Sequence, residues 1–324
     1  MNITRWSPIT FKPILKEKIW GGQQLKTFLY KTEEDLPFGE SWEMADLPND
    51  QSVVAQGDLK GKTLGEVVSA FAKAVLGTTV VDRFGENFPL LIKYIDAGDD
   101  LSVQLHPNDT LAEALHHGKG KTEMWYILKA DPGAQIIIGF EGEMTPEKFD
   151  TSVENGTVND HLQYIDVKAG DCFFISAGLI HAIGKGVVLA EIQQTSDITY
   201  RVYDYDRKQP DGSLRDLHID HARKALRYVN PDDYILEHDP KKIGAQKLKH
   251  SPFFKTDITL LGASPYTINR TDSFTVLMMV AGKMTCTHQE KIYTLALGET
   301  LLIPADCTSV QLEGKDAKFL EVYL

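Results

Sequence analysis

The chain has 324 residues, 42% apolar and 25% charged, an ordinary soluble globular composition long enough for two domains. A formal net charge of −12 argues against a nucleic-acid partner, which needs a basic face, but leaves room for a small phosphorylated ligand in a locally basic cleft. No apolar run approaches the roughly 18–20 residues that span a bilayer, and three cysteines without a C-x-x-C argue against a disulfide scaffold and a thiolate metal site.

The opening stretch "MNITRWSPITFKPILKEKIW" lacks a charged start followed by an apolar stretch and a small-residue cleavage site, so the expected compartment is the cytoplasm. The first hundred residues mix strands and helices. "TLGEVVSAFAKAVLG" (Thr63–Gly77) has helical spacing of its apolar residues and a glycine to end it. "FPLLIKYIDA" (Phe88–Ala97) reads as a strand, with a lysine, Lys93, that a simple core strand would not choose. From Ser102 onward, short strands alternate with Gly, Asp and Asn turns: "SVQLH", "EMWYILKA", "AQIIIGF", "HLQYIDVKAGDCFFISAG" and "VVLAEIQQ". Helical spacing returns only in the inserts "TLAEALHH" and "TPEKFDTSVENG". Many short strands with regular turn signals predict a β-sandwich or barrel.

The stretch Val167–Ile183 is echoed by Leu295–Gln311: a glycine and an acidic residue make a turn, and the apolar residues that follow enter a core strand. Each copy is expected to belong to its own β-barrel. The polar, Pro-bounded stretch Val229–Pro252 holds the boundary, which gives domains 1–240 and 241–324.

Across the echo, His181 in the first copy faces Ser309 in the second, and the first copy follows the Glu-bearing strand "EMWYIL" whereas the second follows "SFTVLMMVAGK", which has no matching carboxylate. A site present in one copy and erased in the other points to function. Gln104 and His106 alternate along "SVQLH" and so share one face of a strand. With Glu123 and His181 they make a nitrogen and oxygen set from three strands, suited to zinc or another first-row divalent ion. Taken singly, either histidine also fits a satisfied core or surface position, and Glu123 could simply pair with Lys121. His116, His117, His218 and His221 read as solvated faces, and Cys172 as a small core residue.

Gly170, Ser176, Ala177, Gly178 and His181 together resemble the second cupin motif, with Ser where proline is usual; the later copy keeps Gly298 and Pro304 and resembles a degenerate cupin. "FPLLIKYIDAGDDLSVQLHPND", "GKTEMWYIL", "GLIHAIG", "AEIQQTSDITYRVYDYDR", "KIWGG" and "FGESWEMA" resemble the type I phosphomannose isomerases in their short bacterial form. The resemblance implies a mainly β fold of two cupin-type jelly-roll barrels with short helical inserts: a catalytic metal-binding barrel behind an N-terminal mixed segment, and a degenerate C-terminal one. It implies one catalytic Zn2+ per chain on Gln104, His106, Glu123 and His181, and Arg201 as the active-site arginine. The implied reaction is interconversion of mannose 6-phosphate and fructose 6-phosphate through an enediol or enediolate. Lys93, Lys121, Arg201 and Ser102 fall in the matching motifs and make a pocket for the substrate's phosphate, while Glu191 and Lys121 are the candidates for proton transfer. The rival readings are a metal-dependent cupin oxygenase and a non-catalytic sugar-binding cupin. The oligomeric state is left open.

Overall fold

The computed structural model describes residues 5–209 and 211–324. The sequence-predicted helix forms over Leu64–Leu76. Thr63 and Glu66 close a reciprocal capping box at its start, and Gly77 ends it at φ +90°, a left-handed conformation that favours glycine. Most of the other regular structure is antiparallel strand.

Two sheets form the first unit. One runs, edge to edge, Cys172–Ile175, Glu123–Ala130, Val187–Gln194, Leu90–Asp96, Phe38–Met44 and Ile14–Gly22; the other runs Leu162–Asp166, Gln135–Phe140, His181–Ile183, Val103–Leu105 and Tyr200–Tyr203. Strand alternation divides the six-stranded sheet cleanly. Ile95, Trp125, Ile127 and Leu189 point inward and pack with Ile136, Ile138 and Ile183 of the opposite sheet. Ile92, Tyr94, Met124, Ala190 and Ile192 point the other way, into a core shared with Val276, Met278 and Leu320 of the C-terminal unit. Tyr94 Oη donates to the Met279 carbonyl at 3.0 Å across that junction. Being covered on both faces explains why these strands read as continuous apolar runs.

Residues 244–323 repeat the plan, with one sheet of Gly244–His250, Lys255–Leu260, Lys318–Tyr323, Thr275–Ala281 and Thr300–Ile303, and another of Tyr266–Ile268, Val310–Glu313, Lys283–His288 and Lys291–Ala296. The sequence echo is structural: Cys172–Ile175 pairs with Glu123–Ala130 as Thr300–Ile303 pairs with Thr275–Ala281. The fold is mainly β, with two units of cupin architecture. Among the described residues, no helix is long and apolar enough to cross a membrane.

Candidate functional site

At one end of the first unit, the inner face of the six-stranded sheet turns from apolar to charged. Glu191 faces Lys93 on one neighbouring strand and Trp125 on the other, and Gln193 faces Glu123. Lys93 in turn faces Trp42. A single register therefore gathers an acid, a base and two indoles in one row. The opposite sheet contributes His181, paired with Gln104, which is itself paired with Arg201. The backbone locks these elements together, since Gly178 N and Lys121 N donate to the carbonyls of His106 and Pro107 at 2.8 and 3.0 Å.

The resulting cleft has a volume of about 360 Å³ and is lined by Ser102, Gln104, Lys93, Lys121, Glu123, His181, Glu191 and Arg201. His106 lies buried at its base. All of the sequence-predicted site residues thus meet in one place. Sequence reasoning did not single out Lys16, Lys18, Trp20, Glu40, Trp42, Asp197 and Thr199, which also line it. A signal existed in "FGESWEM", where Glu40 and Trp42 alternate on one face of a strand that is buried throughout.

His106, Glu123 and His181 place one ligand atom each within 4.8 Å of one another. Nε2 of His106 and of His181 stand 3.5 and 3.4 Å from the Glu123 oxygens. Nδ1 of His106 lies 2.9 Å from the Ile198 carbonyl, and Nδ1 of His181 lies 2.8 Å from the Leu179 carbonyl. A carbonyl oxygen can only accept, so both Nδ1 atoms carry hydrogen and both Nε2 atoms present lone pairs inward. Burial holds both imidazoles neutral, pulling His181 down to about 4 and His106 well below its usual range. Nε2 of each histidine and Oε2 of Glu123 are buried without a hydrogen-bond partner. Two inward-facing imidazole lone pairs and a carboxyl group converging in one buried place fit a divalent cation.

The cleft lysines are paired with carboxylates. Lys121 Nζ is 3.5 Å from Glu123 Oε2, Lys93 Nζ is 3.1 Å from Glu191 and 3.8 Å from Glu40, and Lys18 Nζ is 3.3 Å from Glu40. Trp125 Nε1 donates to Glu191 at 2.9 Å. Burial, together with the Glu191 charge, pushes the Glu123 carboxyl up to about 8. Burial acts the same way on Glu191 and Glu40, but the lysines outweigh it: Glu191 is held below its usual range and Glu40 falls to about 2. Five cationic side chains and four carboxylates line the cleft, a local excess of positive charge in an acidic chain. At the rim, Arg201 Nη1 donates to the Asp216 carbonyl at 2.8 Å and its backbone N–H donates to His218 Nδ1 at 3.2 Å.

One expectation for the other histidines needs correction: His218 holds the Arg201 backbone rather than simply facing solvent. His116 and His117 are exposed, as solvated positions should be, while His116 Nε2 lies 2.8 Å from Tyr200 Oη and its ring packs against His221 at a centroid distance of 5.7 Å. Cys172 is buried, as a small core residue should be.

Comparison with known proteins accords with this arrangement. Residues 9–130 match the family model for the catalytic domain of type I phosphomannose isomerase, and residues 245–324 match the cupin domain of mannose-6-phosphate isomerase. The chain is 37% identical to a mannose-6-phosphate isomerase of Bacillus subtilis over 95% of its own length and 96% of the relative's. It is 36% identical to the mannose-6-phosphate isomerase of Streptococcus mutans over 95% of each chain. The crystal structure of a mannose 6-phosphate isomerase from Bacillus subtilis superposes with a TM-score of 0.89 at 32% identity, over 98% of this chain and 100% of that one. A shared fold across both units, near-complete coverage and both family models lead to one conclusion: the chain belongs to the type I phosphomannose isomerase family.

Proposed function

We propose that the chain interconverts mannose 6-phosphate and fructose 6-phosphate in the cytoplasm, with one zinc ion per chain held by His106, Glu123 and His181 and with Gln104 beside them. The observation that carries the metal assignment is the set of three buried, unpartnered acceptors in one cleft. The names of the relatives support the substrate and the reaction. In this reading, residues 1–240 perform the chemistry and residues 241–324 form the degenerate barrel.

A zinc ion there would supply Lewis-acid polarisation of the sugar carbonyl and stabilisation of the charge that develops on oxygen. The chain's own residues do the rest. Isomerisation from the aldose removes the proton at C2, places one at C1 and shifts a hydroxyl proton from O2 to O1, through an enediolate. Glu191, held ionised by Lys93, can accept a proton, and Lys121 can deliver one; both open onto the cleft next to Glu123. Arg201 at the rim stabilises the developing charge or grips the sugar. Lys93 and Ser102 hold the phosphorylated substrate, whose anchored phosphate restricts an otherwise flexible open chain.

A coupled assay for fructose 6-phosphate, run before and after chelation and again after zinc is restored, tests this. Turnover should disappear with the metal and return with zinc, and free mannose should be a far poorer substrate than its 6-phosphate. Undiminished turnover in protein shown to be metal-free would refute the metal assignment.

A further inference from the structure

Because the two units share one strand plan, each position of the first site has a counterpart in the second. Ile175 lies opposite Glu123, and Ile303 lies opposite Thr275, so Thr275 stands where Glu123 does. Glu191 sits between Lys93 and Trp125, and Glu321 sits between Asp257 and Leu277. Glu321 is therefore the counterpart of Glu191. The sequence echo sets Ser309 at the place of His181. His181 pairs with Gln104, and Ile268 pairs with Val310, which puts the segment from Asn269 to Thr271 in the place of Gln104 to His106. Asn269 Oδ1 accepts from Ser309 N at 2.9 Å, in keeping with that register. Every position of the first ligand set has thus lost its imidazole or carboxylate.

One carboxylate survives. The Glu321 side chain is 4% exposed, and a buried unpaired carboxylate is costly. Arg270, from the very segment that supplies His106 in the first unit, reaches in to meet it. Its Nη2 donates to Glu321 Oε1 at 2.7 Å, and its Nε donates to Thr275 Oγ1 at 3.2 Å. Tyr266 Oη donates to Glu321 Oε2 at 3.1 Å, and the guanidinium lies 3.3 Å from the centre of the Tyr323 ring. The guanidinium touches the counterparts of both Glu123 and Glu191.

We propose that the C-terminal barrel retains a cation-binding site and that Arg270 fills it, a tethered guanidinium standing in for the metal of the first barrel. The chain therefore takes a single metal ion, and the second site accepts small planar guanidinium-type cations once the side chain is cut back. The idea of a replaced metal rests on the function proposed above, but the site itself stands on the Arg270 and Glu321 contacts. A planar fork can donate in its plane to a carboxylate while its flat face stacks on an aromatic ring, a geometry that neither a spherical ion nor a point-like ammonium reproduces.

The test uses thermal melting of the full chain, and no arm depends on isomerase activity or metal content, so its failure would leave the first site's assignment untouched. Arg270→Ala should melt several degrees below wild type, because Glu321 is left buried and unpaired. Millimolar methylguanidinium chloride, compared with sodium chloride at equal ionic strength, should raise that midpoint saturably while leaving wild type unmoved. Arg270→Met combined with Glu321→Met removes both charges, and should melt near wild type without responding to methylguanidinium. Should Arg270→Ala fail to fold, a folded double variant still supports the proposal. A wild-type midpoint in Arg270→Ala, an equal methylguanidinium effect on all three proteins, or a double variant as damaged as the single one would overturn it.

Discussion

Replacing Glu123 by Gln separates what the carboxylate does for a metal from what it costs the fold. Glu123 is 1% exposed, and burial together with Glu191 raises its carboxyl from 4.5 to about 8 against the pull of Lys121 and Lys93. A carboxyl whose folded pKa is raised favours folding in its protonated form. In the metal-free protein that stability is fully present below about pH 4.5 and is lost as the pH rises through about 8. At ~1.36 kcal/mol per pKa unit, the loss is on the order of 5 kcal/mol. Glutamine keeps the shape, carries no charge, and can donate an amide hydrogen to the lone pair of one of the two histidines. Metal-free Glu123→Gln should therefore be more stable than metal-free wild type at pH 8, by up to that amount, with the advantage shrinking toward pH 5. Added zinc should reverse the order, because only the wild type gains strongly from binding. Urea denaturation of both proteins at pH 5 and 8, with chelator and with zinc, measures every term. A metal-free variant less stable than wild type at pH 8 would show that the carboxylate is not waiting for a cation.

His181→Ala should lose most of the bound metal by elemental analysis, whereas Ser309→Ala should retain all of it. Arg201→Ala should keep its metal but lose turnover by about 10²–10³-fold, and Arg201→Lys should recover little of it because the planar fork is gone; near-normal turnover in Arg201→Ala would make the arginine structural. Lys93→Ala should narrow the ratio of catalytic efficiencies for mannose 6-phosphate and free mannose, and an unchanged ratio would remove Lys93 from phosphate binding. Burial lowers His181 to about 4, so in metal-free protein its contribution to stability is present above about pH 6.5 and is lost as the pH falls through about 4. Denaturation of metal-free His181→Ala should accordingly be flatter across that interval than wild type, and identical slopes would contradict a buried neutral imidazole.

The sequence made the first unit's site legible for a physical reason. Alternation along a strand is local, so Gln104 and His106 could be placed on one face from five residues, and the contrast between His181 and Ser309 needed only the echo. The helix Leu64–Leu76 was legible in the same way, from its periodicity and terminal glycine. Relations that depend on register across strands were not legible. Lys93 reads as a free cation awaiting a phosphate until Glu191 and Glu40 appear beside it, from strands about a hundred and fifty residues apart in sequence. Trp20 escaped notice because Ile14–Gly22 joins the sheet at its far edge, and although Glu40 alternates legibly with Trp42, nothing local says that Phe38–Met44 borders the cleft. His218 is a loop residue whose role depends on the approach of the Arg201 backbone.

The junction behind the site limits how the protein can be divided. Lys93 and Tyr94 are adjacent on one strand, the first facing the chemistry and the second anchored to the Met279 carbonyl of the C-terminal unit. Phe88 and Phe174 likewise meet Phe274 and Phe254, with ring centroids 4.9 and 6.2 Å apart. Cutting the chain near residue 240 would expose an apolar sheet face whose opposite side is the catalytic floor. The isolated catalytic half should aggregate rather than work, so the inert copy cannot be discarded by gene fission or exchanged as a cassette without redesigning the strands that hold the active side chains.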